Sequence, residues 1–499
     1  MLRRRSVLLA GAAAAALTAA GPAVAKPRGN WDRLRASLQG DVLVPGDAGY
    51  DKARQSHFLQ FDYLRPQAVA FCETPADVRK ALSFAHWHDL HTVPRSGGHS
   101  YAGYSTNEGL ILDVSRLNRT TVGASTVTLG PGAQQVDALA AVDAHGLALP
   151  SGLCPTVCPG GFLQGGGIGW LTRRAGIATD RLVSADVVLA DGRFVHCSEY
   201  EHPDLFWALR GGGGGNFGVV TRFEVRPIKI PTMVNYNLTW PWEQAATVIE
   251  AWQDWMIGGS RDLGGALGIQ WVDAGTGHPD VLVYGGFAGN RAAFDRQLAA
   301  LVAAVGTQPT TSAVAEKPYR QAMMQWYGCQ DLDTNQCHRI GYLPESQLPR
   351  QTYSLDRNRM VSRAIPAEGI RKMLDTFTSA PRAGQFRYIS IFALGGAAND
   401  LPRDATAFVH RTTELYVANV VGLSSPTATE DDRTAARTWV TSAFDAVDPY
   451  SNGEGYQNFI DSLLDGWQSA YYAENYARLS QVKRSYDPER FFRFAQAIR

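Results

Sequence analysis

Net charge is the first thing missing from this chain: 47 lysines and arginines are balanced by 47 aspartates and glutamates over 499 residues. That balance removes the positive field on which general nucleic-acid or anionic-membrane binding depends. Charged residues are scarce overall, at 19%, while hydrophobic residues reach 45%. This is the composition of a folding chain with ample core, not of a disordered one. Cysteine is sparse as well. The six present, Cys72, Cys154, Cys158, Cys197, Cys329 and Cys337, are too few to staple a chain that can build its own core. Cys329 and Cys337 stand eight apart in a polar stretch, where a local disulfide and two free thiols are equally compatible with the sequence. His338 adds only a third ligand beside them, short of a zinc set, so no metal site is expected. A GxxxxGK(S/T) run is absent, and no GxGxxG follows the first strand. Both absences argue against the usual nucleoside-triphosphate and nicotinamide sites.

Long apolar runs are missing beyond the N-terminus. There, Arg3, Arg4 and Arg5 precede Ser6-Val7-Leu8-Leu9 and an Ala/Leu run that ends at Ala23-Val24-Ala25. The apolar run is about 15 residues, against the ~20 that a membrane span needs. Residues 1–25 therefore read as a signal peptide of twin-arginine type with a small-residue cleavage site, rather than as an anchor. The mature protein is expected to start at Lys26 and to be secreted.

Glycine is what the chain has in excess. Of its 50 glycines, 15 fall in the 67 residues from Gly152 to Gly218. Residues 26–63 show no periodic pattern and read as an N-terminal arm. From 64 to 227 the pattern is compact: a strand at Ala68–Cys72, a helix with Thr74 as N-cap and Pro75 at its first position, and a strand before Ser96-Gly97-Gly98. Further strands are expected around Gly109–Asp113, Thr126–Gly130, Ala185–Ala190 and Val219–Val225. Residues 228–449 have fewer glycines, amphipathic stretches such as Trp242–Ile257 and Arg291–Val305, and strands such as Tyr388–Phe392. This is the texture of an α+β domain whose antiparallel sheet is covered on one face by helices. Residues 450–499 return to polar, aromatic-rich sequence.

Three Gly-rich loops carry the chemistry. Arg95-Ser96-Gly97-Gly98-His99-Ser100-Tyr101 can point successive N–H groups at a phosphate while a histidine projects from the same turn. Gly152-Leu-Cys154-Pro-Thr-Val157-Cys158, with Gly161 and Gly165-Gly166-Gly167-Ile-Gly169 behind it, lets backbone approach a flat ligand where no Cβ intervenes. Arg210 to Gly215 runs through Asn216-Phe-Gly218 into a strand at Val219-Val220.

These segments resemble the FAD-binding domain of the berberine-bridge-enzyme-like flavoproteins, within the vanillyl-alcohol-oxidase superfamily. At the C-terminal end, Tyr456-Gln-Asn-Phe459 resembles the family's Y-x-N-Y segment, and Tyr471 to Leu479 with Tyr486-Asp-Pro488 resembles its closing motif. The resemblance implies a PCMH-type FAD-binding fold over 64–227, a substrate domain over 228–449, and a C-terminal segment, 450–499, that returns to the FAD domain. It implies covalent FAD, joined to His99 through the flavin 8α-methyl and to Cys154 through flavin C6, with Cys158 as the rival thiol. Arg95, Ser96, Gly97, Gly98, Ser100, Val157, Gly161, Gly166, Gly167, Gly169, Val220 and Asn475 are the other cofactor-binding residues it implies. Val157 aligns with a position where a small side chain leaves room for oxygen.

Tyr456 is the implied catalytic base, with Tyr388 next in line. Phe459 replaces the family's second tyrosine, which leaves a paired phenol in doubt. The segment Tyr388 to Leu394 contains no carboxylate, which argues against the carbon–carbon bond formation of some plant members. The expected function is oxidation of an alcohol by O2. The substrate is a secondary metabolite, as in tirandamycin-type tailoring oxidases, or a sugar, as in oligosaccharide oxidases. A non-catalytic flavin- or drug-binding protein on the same fold is the reading from another class. A sugar oxidase is expected to line its central sheet with polar and aromatic residues.

Overall fold

The structure is a computed structural model and describes residues 30–425 and 428–499. The signal peptide expected at 1–25 lies outside the described residues. Three sheets organise the chain. In the first, Ala68–Phe71, Leu110–Asp113 and Thr92–Arg95 run parallel, and Val42–Leu43 pairs antiparallel with Ala68–Phe71 at one edge. Residues from Asn30 onward are therefore built into this unit, although the sequence reads as an arm. The helix Trp31–Ser37 buries Leu34 and the edge strand buries Val42, too few apolar positions to show a period.

Thr74 caps the helix Pro75–Trp87 through a capping box with Asp77, as its side chain accepts from the Asp77 N–H at 3.1 Å. The second sheet is antiparallel, in the order Thr120–Val122, Val127–Leu129, Val219–Val225, Leu182–Val188, Phe194–Ser198. Its last hairpin turns at Asp191-Gly192, where Gly192 has φ +84°, a conformation that glycine adopts without strain.

The third sheet has seven antiparallel strands, ordered Thr311–Pro318, Thr232–Trp240, Asp280–Phe287, Leu263–Trp271, Gln385–Ala393, Leu415–Leu423, Tyr353–Val361. Side chains alternate across it. Ile389, Ile391, Val417 and Val421 join the helices Ala245–Ile257, Ala367–Thr378 and Glu430–Val447 in one core. Tyr388, Ser390, Phe392, Tyr416 and Ala418 project from the opposite face, toward the first two sheets. Among the described residues, no helix is long and apolar enough to cross a membrane.

The chain's last fifty residues pack back on the Gly-rich part. Tyr471, Tyr472, Leu479 and Tyr486 share a core with Phe206, Trp207 and Phe223. Lys483 is buried and donates to Asp487 Oδ2 at 2.7 Å, to the Asn216 carbonyl at 2.6 Å and to the Phe492 carbonyl at 2.8 Å. A buried ammonium is tolerated only when its donors are met in this way. Cys329 and Cys337 form a disulfide, which decides between the two sequence alternatives. Beside it, His338 pairs with Asp137 of the Gly-rich half at 3.0 Å.

Candidate active site

One cavity of about 710 Å³ lies between the Gly-rich half and the open face of the seven-stranded sheet. A volume in this range suits an organic ligand of cofactor size. Its lower wall is the three loops. Arg95, Ser96, Gly97, Gly98, His99 and Ser100 line it, with Cys154, Val157, Cys158 and Gly161 from the second loop, and Gly213, Gly214, Gly215 and Val220 from the third. Among the described residues, the N–H groups of Gly97 to Tyr101 donate to no protein acceptor. Close packing explains the glycines: a Cβ on Gly97 would stand 2.9 Å from the Thr156 carbonyl oxygen and 3.1 Å from Cys158 Sγ. Gly161 faces open space, with nothing within 4 Å of such a Cβ.

Arg95 closes the base of the first loop. It is buried, bonds Asp113 at 2.5 Å and donates to the Ala53 carbonyl at 2.5 Å. His99 is held by Nε2 against Thr156 Oγ1 at 2.9 Å. On its other flank His57 stacks at 4.0 Å between ring centroids, tilted by 25°. Burial drives the His99 imidazole well below the ordinary histidine range, with the Arg339 charge adding to the effect, so it stands neutral. Cys154 is half-buried, 3.7 Å from Thr156 Oγ1, whereas Cys158 is fully buried with its thiol on the Gly132 carbonyl at 3.4 Å. Of the two thiols, Cys154 is the accessible one, and burial raises Cys158 well above the ordinary thiol range.

Four residues expected to bind cofactor do not line the cavity. Gly166 and Gly169 serve packing: a Cβ would meet the Phe408 ring at 2.7 Å in the first case and the Ser151 carbonyl at 1.9 Å in the second. Gly167 instead donates its N–H to the Tyr456 hydroxyl oxygen at 2.8 Å. Asn475 ties the closing segment down, donating to the carbonyls of Arg403 at 2.8 Å and Thr406 at 3.2 Å.

Tyr456 reaches the cavity from the C-terminal segment, its hydroxyl also accepting from Asn458 Nδ2 at 3.0 Å. Burial pushes the phenol upward, and the donors from Asn458, Gly167 and Ile168 offset part of that rise. These donors favour phenolate without a cation. Phe459 sits against Tyr101, Tyr416 and Tyr456 at 5.1, 5.6 and 5.2 Å. Tyr388 bonds Tyr284 through a short contact between their hydroxyls.

The sheet also delivers a carboxylate that the strand Gln385–Ala393 lacks. Asp356, on the edge strand Tyr353–Val361, is buried and lines the cavity, accepting from Asn358 Nδ2 at 3.0 Å. Burial raises it to about 7, and Asp461 adds to the rise. Hydrogen bonds from the Asn358 and Tyr416 side chains offset part of that rise. A buried carboxyl raised toward neutrality inside a cavity is a candidate for proton transfer.

Comparison with known proteins decides the family. Residues 66–198 match the family model for the FAD binding domain, and residues 455–499 match the model "Berberine and berberine like". The uncharacterized FAD-linked oxidoreductase YvdP of Bacillus subtilis (strain 168) is 31% identical, over 92% of this chain and 98% of its own. The chain belongs to the berberine-bridge-enzyme-like FAD-linked oxidoreductases. Berberine-bridge-enzyme-like 1 of Physcomitrella patens shares its fold at a TM-score of 0.84 and 24% identity, over 94% of this chain and 98% of that one. A glucooligosaccharide oxidase structure from Acremonium strictum, described as carrying 6-S-cysteinyl, 8α-N1-histidyl FAD, aligns at a TM-score of 0.82 and 26% identity. The two chains are covered to 94% and 98%.

In this berberine-bridge-enzyme-like protein the loops fit FAD. The free N–H groups from Gly97 to Tyr101 suit a pyrophosphate anion. The side-chain-free approach at Gly161 suits a flat ring, and Ser105 Oγ and Gln135 Nε2 are buried polar atoms of the cavity wall without a protein partner.

Proposed function

We propose that the protein is a secreted oxidase that holds FAD covalently through His99 and Cys154 and oxidises a hydroxyl-bearing carbon, with O2 reduced to H2O2. FAD, when bound, supplies the two-electron acceptor for this chemistry. The chain's own part is to orient the hydroxyl and remove its proton. Tyr456 is the proposed base, because its oxygen is fixed in the cavity by two donors that stabilise negative charge. Asp356 is the second candidate, because it alone among the cavity's carboxyl and phenol groups changes charge near pH 7. Val157 lines the cavity and is the proposed point of oxygen access.

The sheet face carries the substrate reading. Tyr284, Tyr388, Tyr416, Phe386 and Phe392 supply rings there, and Ser390 and Asp356 supply polar groups. This is the mixed aromatic and polar lining expected of a carbohydrate oxidase, and it favours an alcohol or hemiacetal of a sugar. A secondary-metabolite hydroxyl is the second reading, favoured by Val420 and Leu423 beside Phe386 on the same wall. A peroxide-release assay over mono- and oligosaccharides and over hydroxylated polyketide-like alcohols decides between them. No peroxide from any member would support the flavin-binding alternative. Export is tested by sequencing the N-terminus of extracellular protein, which should begin at Lys26. With Arg3, Arg4 and Arg5 replaced by Lys, the protein should stay inside.

A further inference from the structure

A single hydroxyl lies between the two residues assigned to the flavin. Thr156 Oγ1 is 2.9 Å from His99 Nε2 and 3.7 Å from Cys154 Sγ. One face of His99 is covered by His57, whose N–H donates to the Gly98 carbonyl at 2.9 Å and whose carbonyl accepts from Gln351 N–H at 3.1 Å. The imidazole is thus covered on one face by a ring and held at one edge by a hydroxyl.

We infer that Thr156 is the positioning residue for both covalent links to the flavin, an inference that rests on the bicovalent reading above. A threonine hydroxyl accepts and donates at once. Accepting the Nε2–H of His99 leaves the Nδ1 lone pair free to bond. Donating to Cys154 Sγ favours the thiolate, the form that reacts. Desolvation acts unequally on the two: it keeps His99 neutral and therefore nucleophilic, but it works against ionising Cys154, where the Thr156 hydrogen bond pulls the other way. The hydroxyl therefore selects the nitrogen at one residue and assists ionisation at the other.

Each link balances as an oxidation. At His99 an Nδ1–C bond forms as one C–H of the 8-methyl group breaks and the Nε2–H proton is released, two electrons enter the flavin, and O2 takes up the electrons and both protons as H2O2. At Cys154 an S–C bond replaces S–H and the C6–H, with a second O2 consumed in the same way.

The test compares Thr156→Val and Thr156→Ser with wild type, His99→Ala and Cys154→Ala, all purified as FAD-loaded protein. Flavin released by acid is measured, and each link is scored by mass spectrometry of the flavin peptides. In Thr156→Val the released share should rise roughly tenfold or more, the scale set by losing a hydrogen bond to a reacting group, with both links depleted. Thr156→Ser should keep both, and His99→Ala and Cys154→Ala should each lose only their own. Both links intact in Thr156→Val would overturn the inference. Equal loss in Thr156→Ser and Thr156→Val would overturn it too, by showing that the links fail whether or not the hydroxyl is kept. If wild type itself releases all its flavin, the bicovalent reading fails first and this inference falls with it.

Discussion

The two walls of the cavity are made in different ways. The Gly-rich wall offers backbone: N–H groups from Gly97 to Tyr101 and surfaces at Gly161 and Gly214 that carry no side chain. The sheet wall offers side chains, with Tyr284, Tyr388, Tyr416 and Asp356 projecting from four strands. A wall of backbone suits a ligand that never changes, because its geometry is set by turns. A wall of side chains suits a ligand that evolution exchanges, because each position is replaced without refolding the sheet. The lesson is that one wall should fail by losing cofactor and the other by losing turnover.

The sharpest break of this comparison is Gly97→Val. With only 2.9 Å to a backbone carbonyl, the added carbon forces the first loop open, and the purified protein should lack flavin absorbance altogether. Tyr456→Phe comes next. It should keep its flavin while slowing flavin reduction about 10²- to 10⁴-fold, the usual range for general base catalysis, and stopped-flow should find reoxidation by O2 unchanged. A wild-type reduction rate in this variant would move the base to Asp356.

Asp356→Asn sharpens the same point through pH. In the folded protein burial raises this carboxyl from 3.8 to about 7. The folded state therefore holds the proton more tightly than the unfolded chain, and the stability this gives is complete below about pH 4 and declines up to about pH 7. Thermal melts of Asp356→Asn against wild type should remove that decline. If the carboxylate takes the substrate proton, the variant should also lose the rise of kcat/KM through about pH 7. Tyr388→Phe is the smallest expected effect. Removing its hydroxyl breaks the bond to Tyr284, about 0.5–1.5 kcal/mol, so kcat/KM should fall roughly tenfold or less with the visible spectrum unaltered.

The sequence was legible where local chemistry determines structure. Thr74-Pro75 announced a helix that begins at Pro75, and the Arg95–Tyr101 loop announced a cavity wall, since both depend on residues adjacent in the chain. The sheet and its helices were legible from periodicity as an α+β layer. Asp356 was not. Its strand reads polar on both faces, because Arg357 and Arg359 opposite the cavity are matched by Asp461 and Asp448 and lie over the Phe444 ring. No alternation in Tyr353–Val361 separates the wet face from the paired one. Gly166, Gly169 and Asn475 lie off the cavity wall, where their contacts are tight packing and a carbonyl clamp, roles that glycine and asparagine at a motif position fill as readily as ligand binding. The cysteine pair needed the fold, since only the path of the chain brings Cys329 to Cys337.

The Lys483 anchor has a consequence in time. The third Gly loop is held from behind by the Asn216 carbonyl on Lys483 and by Asn216 Oδ1 on the N–H of Ile498, one residue short of the chain's end. Every glycine of the cofactor wall has been synthesised by residue 218, yet nearly three hundred residues must follow before the clasp that fixes the loop exists. A chain synthesised only that far therefore carries this wall without its support. Removing Ile498 should therefore loosen a loop nearly three hundred residues earlier in the sequence.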